Sequence, residues 1–258
     1  MSLERFVDAY EGVERSLVLA NRRQPEQLRS MLETAFAEQS VAVDDAIVDG
    51  EEEDMVLLLG PDEEVLARSP LSAVASSLLF TNSDAFITGS TDLDAVDLPD
   101  VITGLEGVKF RLRGYPRSHK EKLLLIAVSR QIERSAWLRD AGTHRASFQQ
   151  LSRIVDEQGT ERVYRRLGES AVDTHVYGVD DGSAERASAL GVTVHAGTST
   201  DYRDSWFVIH RPPEAGEPSG PDPIALLAVQ DEEGVWHGFF TTEQEPAIRV
   251  DDYVRTAL

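Results

Sequence analysis

The stretch Val108–Leu138, VKFRLRGYPRSHKEKLLLIAVSRQIERSAWL, decides how the chain is read. Its first part alternates. Val108, Phe110 and Leu112 face one way and Lys109, Arg111 and Arg113 the other, the period of a half-buried strand. Gly114 and Pro116 break that strand. Ser118 stands three residues before Glu121, the spacing of a capping box, so a long helix is expected to start there. It should run to about Arg139 and stop near Gly142. Leu123–Val128 is an unbroken apolar run of six residues, far too short to span a bilayer. The helix is therefore expected to be a central, buried one, packed on a sheet.

The same stretch is basic inside an acidic chain. The formal net charge is −21, from 46 acidic against 25 basic residues. All three lysines, Lys109, Lys120 and Lys122, lie in it. Between 109 and 122, six cations face one acid, Glu121. An acidic surface opposes the approach of nucleic acid and of anionic membranes, so neither is expected as a partner. A surface dense in carboxylates and nearly free of lysine suits a protein dissolved in very high salt. There the screening length is ~3 Å or less and self-repulsion is damped. In such a chain acidic clusters are weak evidence for metal sites. Asp92, Asp94, Asp97 and Asp100 lack the glycine and the terminal glutamate of a calcium loop and read as solvated.

Cations in the first turn oppose the helix dipole, so another term must favour them. Two remain open: pairing with the acidic excess, or an outside anion, whether a small ligand, a nucleotide-like signal or an acidic partner surface. On the second reading the candidate ligand residues are Arg113, Tyr115, Arg117, His119, Lys120 and Lys122, with Phe148, Tyr164 and Trp206 as a flat wall. Aromatics at such spacings equally form core.

Working outward, the pattern alternates strands and helices. A helix over Leu3–Tyr10 precedes a strand over Ser16–Ala20, an amphipathic helix over Pro25–Glu38 and a short strand over Val41–Val43. Met55–Leu59 and Val65–Arg68 form a hairpin, Ser69-Pro70 opens a helix to Leu79, a strand is expected over Asp84–Thr88, and a short helix over Val101–Leu105. Beyond the central helix come a strand at Ala146–Gln149, helices at Leu151–Val155 and Thr160–Glu169, and strands at Thr174–Gly178, Val192–His195 and Ser205–His210. A loop with five prolines follows, then a hairpin of Ile224–Gln230 and Val235–Thr241 and a helix from Gln244. The fold class is mixed α+β, sheets flanked by helices, with a faint echo between the halves that leaves two similar units open. Two regions are expected, 1–113 and 114–258.

No P-loop, dinucleotide glycine motif, H-E-x-x-H, H-x-K or G-x-S-x-G occurs, and the six histidines are scattered. With no cysteine, disulfides and thiolate metal sites are excluded. No catalytic residue, metal ligand or cofactor is assigned, and a cytoplasmic location is expected.

The ordered series HKEKLLLIAVSRQIERSAW, ASFQQLSR, GTERVYRRLGE, THVYG, RDSWFVIHRP and WHGFFTTE resembles the DICT sensory domain, in the stand-alone form of halophilic archaea, over about Gly114–Leu258. SLVLANR and LLFTNSDAFITG resemble the region preceding it. The resemblance implies a non-enzymatic signal-sensing module, linked elsewhere to diguanylate cyclases, two-component proteins, DNA-binding regulators and light responses. Its partner would be an anionic small molecule or a signalling protein, with a homodimer left open. It transfers no catalytic residue. The rival reading is an enzyme on a small anionic metabolite, using His119 and Lys120 at the helix mouth.

Overall fold

The computed structural model describes residues 2–36, 41–80, 98–113, 122–214 and 220–258. Within them eleven strands form two sheets. The smaller has the order β2-β1-β3-β4: β1 (Arg15–Ala20), β2 (Val41–Ala46), β3 (Met55–Leu59) and β4 (Val65–Pro70). β1 runs parallel to β2 and antiparallel to β3, and β3 and β4 are the expected hairpin. Helices α2 (Glu26–Phe36), α3 (Leu71–Phe80) and α4 (Asp100–Thr103) close a core around Leu17, Leu19, Val56 and Leu58. The strand expected at Asp84–Thr88 lies outside the described residues, as do Asp92, Asp94 and Asp97; Asp100 opens α4.

The larger sheet has seven strands in the order β5-β11-β10-β9-β6-β7-β8. They are β5 (Lys109–Arg113), β6 (Thr143–Gln150), β7 (Asp173–Val179), β8 (Thr193–Ala196), β9 (Ser205–Arg211), β10 (Ile224–Glu232) and β11 (Val235–Thr241). β6, β7 and β8 are parallel and the rest antiparallel, so this is a mixed α+β fold as the alternation implied.

Both faces of the sheet are covered. On one, α5 (Lys122–Arg139), α6 (Ser152–Asp156), α7 (Gln158–Gly168) and α8 (Ala184–Ser188) pack over Ala146, Val176, Val208, Leu226 and Trp236. On the other, α1 (Glu4–Ala9), α9 (Thr200–Arg203) and α10 (Gln244–Ala257) pack over Tyr177, Phe207, Ile209, Leu227 and Phe239. Cover on both sides explains why Ala225–Val229 of β10 is a continuous buried apolar run and not an alternating one. Each of those side chains has an apolar layer to enter, whichever way it points.

β5 obeys its alternation. Phe110 and Leu112 are buried toward α5 and Arg111 is exposed, next to Asp231. α8 and α9 were not expected from the pattern; each is about one turn long, too short for a readable period.

The sheet centre is closely packed. At Gly238 of β11, an added Cβ would fall 2.0 Å from the Leu227 carbonyl oxygen and 2.7 Å from Ala228 Cα. These are backbone atoms of the paired strand β10, so a flexible side chain cannot absorb the clash. Gly238→Ala is expected to lower stability by at least about 1–3 kcal/mol. Urea denaturation showing a loss below about 0.5 kcal/mol would contradict this packing.

Candidate functional site

Buried charge costs free energy unless it is paired and hydrogen-bonded, so polar groups inside these two cores are informative. The seven-stranded sheet carries one polar network on each face.

On the α5–α7 face, Arg130 and Glu133 sit one turn apart on α5, both buried. Arg130 Nη1 lies 2.5 Å from Glu133 Oε2, and its Nη2 donates to Thr160 Oγ1 on α7 at 2.7 Å. Thr160 in turn donates to Glu157 at 3.1 Å. Tyr164, one turn after Thr160, donates to Glu133 Oε1 at 2.9 Å. Burial pulls the Arg130 pKa down, but the Glu133 carboxylate more than offsets this and the guanidinium stays charged. Burial, then Glu133, push the Tyr164 phenol well above its ordinary range. His144 of β6 faces this group, its Nε2 3.5 Å from the Tyr164 hydroxyl. It pairs across the sheet with His210 of β9. Both are buried, and among the described residues no side-chain hydrogen-bond partner meets His144 Nδ1 or either His210 ring nitrogen. Burial, then His210 and His175, lower His144 to about 3; burial, then Arg139, lower His210 to about 4.

The opposite face holds the second network, which the pleat assigns to the odd-numbered residues of β6 and β7. Arg145 of β6 donates through Nε to Asp251 Oδ1 of α10 at 2.8 Å and through Nη1 to the Tyr177 hydroxyl at 3.0 Å. Arg211 Nη1 reaches Asp251 Oδ2 and Asp252 Oδ1, each at 3.0 Å. The Arg145 and Asp251 side chains are only 6% and 3% exposed. The Tyr177 ring stacks on His195 of β8, centres 4.4 Å apart and planes 7° from parallel.

His195 Nε2 meets His175 Nδ1 at 2.9 Å, and His175 Nε2 lies 3.0 Å from Asp173 Oδ2. The two imidazole centres are 5.2 Å apart, so the facing nitrogens lie close to the line joining the rings. Opposed head on in this way, they hydrogen-bond to each other and do not converge on a common metal position. Among the described residues no group of three or more His, Asp or Glu side chains could hold a metal ion. The 2.9 Å approach requires one of the two rings to donate and the other to accept. Burial, then His175 and Arg145, lower the His195 pKa.

The residues expected to bind a ligand are only partly assembled. Tyr115, Arg117, His119 and Lys120 lie outside the described residues, and Lys122 opens α5 with its side chain also outside the description. Phe148 and Tyr164 do come together, edge to face with ring centres 5.0 Å apart. Trp206 joins the same core, edge to face with Trp236 at 6.2 Å, its Nε1 donating to Ser129 Oγ at 3.1 Å. Arg113 ends β5, with β11, β10 and β9 between it and the β6 strand that carries Phe148. Sequence reading missed Arg130, Glu133, Arg145, Tyr177 and Asp251. Arg130 and Glu133 did leave a signal, as opposite charges one turn apart on one helix. Arg145 and Asp251 left none, being 106 positions apart.

Comparison with known proteins agrees with one part of the chain. No curated protein matches it. Residues 110–216, which run from β5 through β9 and carry Arg145, His175, Tyr177 and Arg211, match the DICT family, described as a sensory domain in diguanylate cyclases and two-component systems.

Proposed function

We propose that this protein is a non-enzymatic, cytoplasmic sensory module that binds a small ligand or a protein partner and passes the event to its terminal helices. The match of residues 110–216 to a sensory domain carries this reading. The second polar network supports it. Asp251 on α10, outside the matched segment, is held by Arg145 and Arg211 from within it. Asp201 of α9 likewise accepts from the Leu3 backbone N–H before α1 at 3.0 Å and from Tyr253 of α10 at 2.8 Å. Through these charge-assisted bonds a shift in β6 or β7 would be passed to α10, and a shift in α9 to α1 and α10.

The partner would be an anionic small molecule or a signalling protein of a two-component-type or light-response pathway, with homodimerisation as a further mode. The composition suits work in concentrated salt, where carboxylates stay hydrated and self-repulsion is screened. The test is thermal-shift and native mass spectrometry screening of the full chain against nucleotides and chromophores in molar salt. A ligand that raises the melting temperature and slows amide exchange in both β6–β7 and α10 is expected. Turnover of a bound compound into product would overturn the non-enzymatic reading.

A further inference from the structure

We infer that the groove between α1 and α10 is a receptor for a small molecule bearing an oxyanion, a phosphate or a carboxylate taken by Arg5 and Arg249. The inference rests on the sensory reading only in treating the occupant as a signal.

The groove is open and holds about 670 Å³. Arg5 and Ala9, one turn apart on α1, form one wall. Arg249, Asp252, Tyr253 and Thr256, at spacings of three, four and seven on α10, form the other. Phe6 and Tyr253 make its floor. The Arg5 guanidinium lies 4.5 Å from the Phe6 ring centre and 5.1 Å from that of Tyr253, and Arg249 approaches Phe6 at 5.9 Å. A guanidinium stacked on a ring keeps its planar N–H donors free at the edge, the geometry that accepts a phosphate or carboxylate fork to fork.

Those donors are unengaged at Arg5. Among the described residues it has no ion pair or hydrogen bond, and its buried Nε has no partner. Among the described residues the one ion pair of Arg249 is with Glu245 at 3.6 Å, with both side chains largely exposed (62% and 83%), a pair worth little in water. The acid within the groove, Asp252, is already taken by Arg211 at 3.0 Å and Arg255 at 3.4 Å. Arg5, and Arg249 by exchange of its weak exposed pair, are therefore available to an outside anion over an aromatic floor.

The groove continues past Phe6, Ala9 and Arg249 into a second hollow of about 220 Å³, whose lining adds Tyr10, Glu11, Glu243 and Glu245. A ligand reaching that end meets carboxylates. Its remainder should be neutral or cationic, and purely anionic ligands should be disfavoured there.

Isothermal titration of the full chain with phosphoethanolamine and, separately, β-alanine tests this and separates the phosphate source from the carboxylate one. Saturable one-to-one binding of at least one probe is expected, weakened tenfold or more in Arg5→Gln/Arg249→Gln. Arg23→Gln, which removes an exposed pair with Glu53 far from the groove in sequence, should leave it unchanged. Arg249→Gln alone, at an exposed position, serves if the double variant is misfolded by circular dichroism, with a fall of threefold or more. Absence of saturable binding by either probe, or affinity within twofold of wild type in the variants, overturns the inference. Binding that leaves amide exchange in β6–β7 unaltered would keep the receptor and remove the sensory reading.

Discussion

Asp251→Ala should cost about 3–5 kcal/mol of stability, read as a fall in the urea midpoint at unchanged slope. The substitution leaves the Arg145 guanidinium buried beside a neutral phenol, with the charge that compensated it gone. Arg211 loses less, because it is partly exposed and keeps Asp252. The neighbouring substitution makes the contrast. Asp252 is about half exposed and meets Arg211 and Arg255 at the surface, so Asp252→Ala should change stability by less than about 1 kcal/mol. If the two substitutions cost the same, the Arg145–Asp251 bond is not what seats α10 on the sheet. Replacing Arg145 and Asp251 together by leucine removes the uncompensated charge and should recover most of the loss, as a double-mutant cycle would show. Amide exchange in α10 should rise in Asp251→Ala and stay near wild type in Asp252→Ala.

A comparable loss is expected on acidification. His144 and His210 lie buried side by side, with pKa values lowered to about 3 and about 4. Both stay neutral in the folded protein while the unfolded chain takes up protons near pH 6.5. Stability is therefore full above about pH 6.5 and falls as the pH drops toward the folded values. Between pH 7 and pH 5 the two groups should remove roughly 2–4 kcal/mol, a large part of the stability of a typical domain. The groups facing them do not rescue the charged forms: Arg139 and His175 oppose protonation, Tyr164 gives its hydrogen to Glu133, and the Thr143 backbone favours charged His210 too weakly to offset its burial. Urea midpoints at several pH values should show this slope flatten by more than half in His144→Gln/His210→Gln. An unchanged slope would assign the acid sensitivity to other groups.

The basic strand and the long helix were legible because their signals are local. The alternation over Lys109–Arg113 and the run Leu123–Val128 each occupy a few consecutive residues. Most strands of both sheets were readable for the same reason, as short apolar or β-branched runs between Gly, Pro and Asp. The parallel β6-β7-β8 order was not, since nothing local records which strand becomes a neighbour. The polar networks were less legible still. Arg145 in THRASFQQ looks like one more surface arginine, and Asp251 like one more acid among 46. The basic helix mouth drew attention by its composition, yet most of it falls at 114–121, outside the described residues. The aromatics Phe148, Tyr164 and Trp206 drew attention by type alone; Tyr164 is buried in the core beneath α5 and α7, and Phe148 and Trp206 pack against that core partly buried.

By itself the sequence determined the inventory: a mixed α+β chain, strongly acidic, without cysteine chemistry and with one basic segment before its longest helix. Periodicity and charge are properties of neighbouring residues, so they survive without knowledge of the fold. Only the tertiary structure decided which charges are buried together. Arg130 with Glu133 and Tyr164, Arg145 with Asp251 and Tyr177, and Arg5 and Arg249 in one groove all arise where separate elements converge on the seven-stranded sheet. The energy of a charge depends on its distance from other charges and from water, and in a folded chain neither distance follows from position along the sequence.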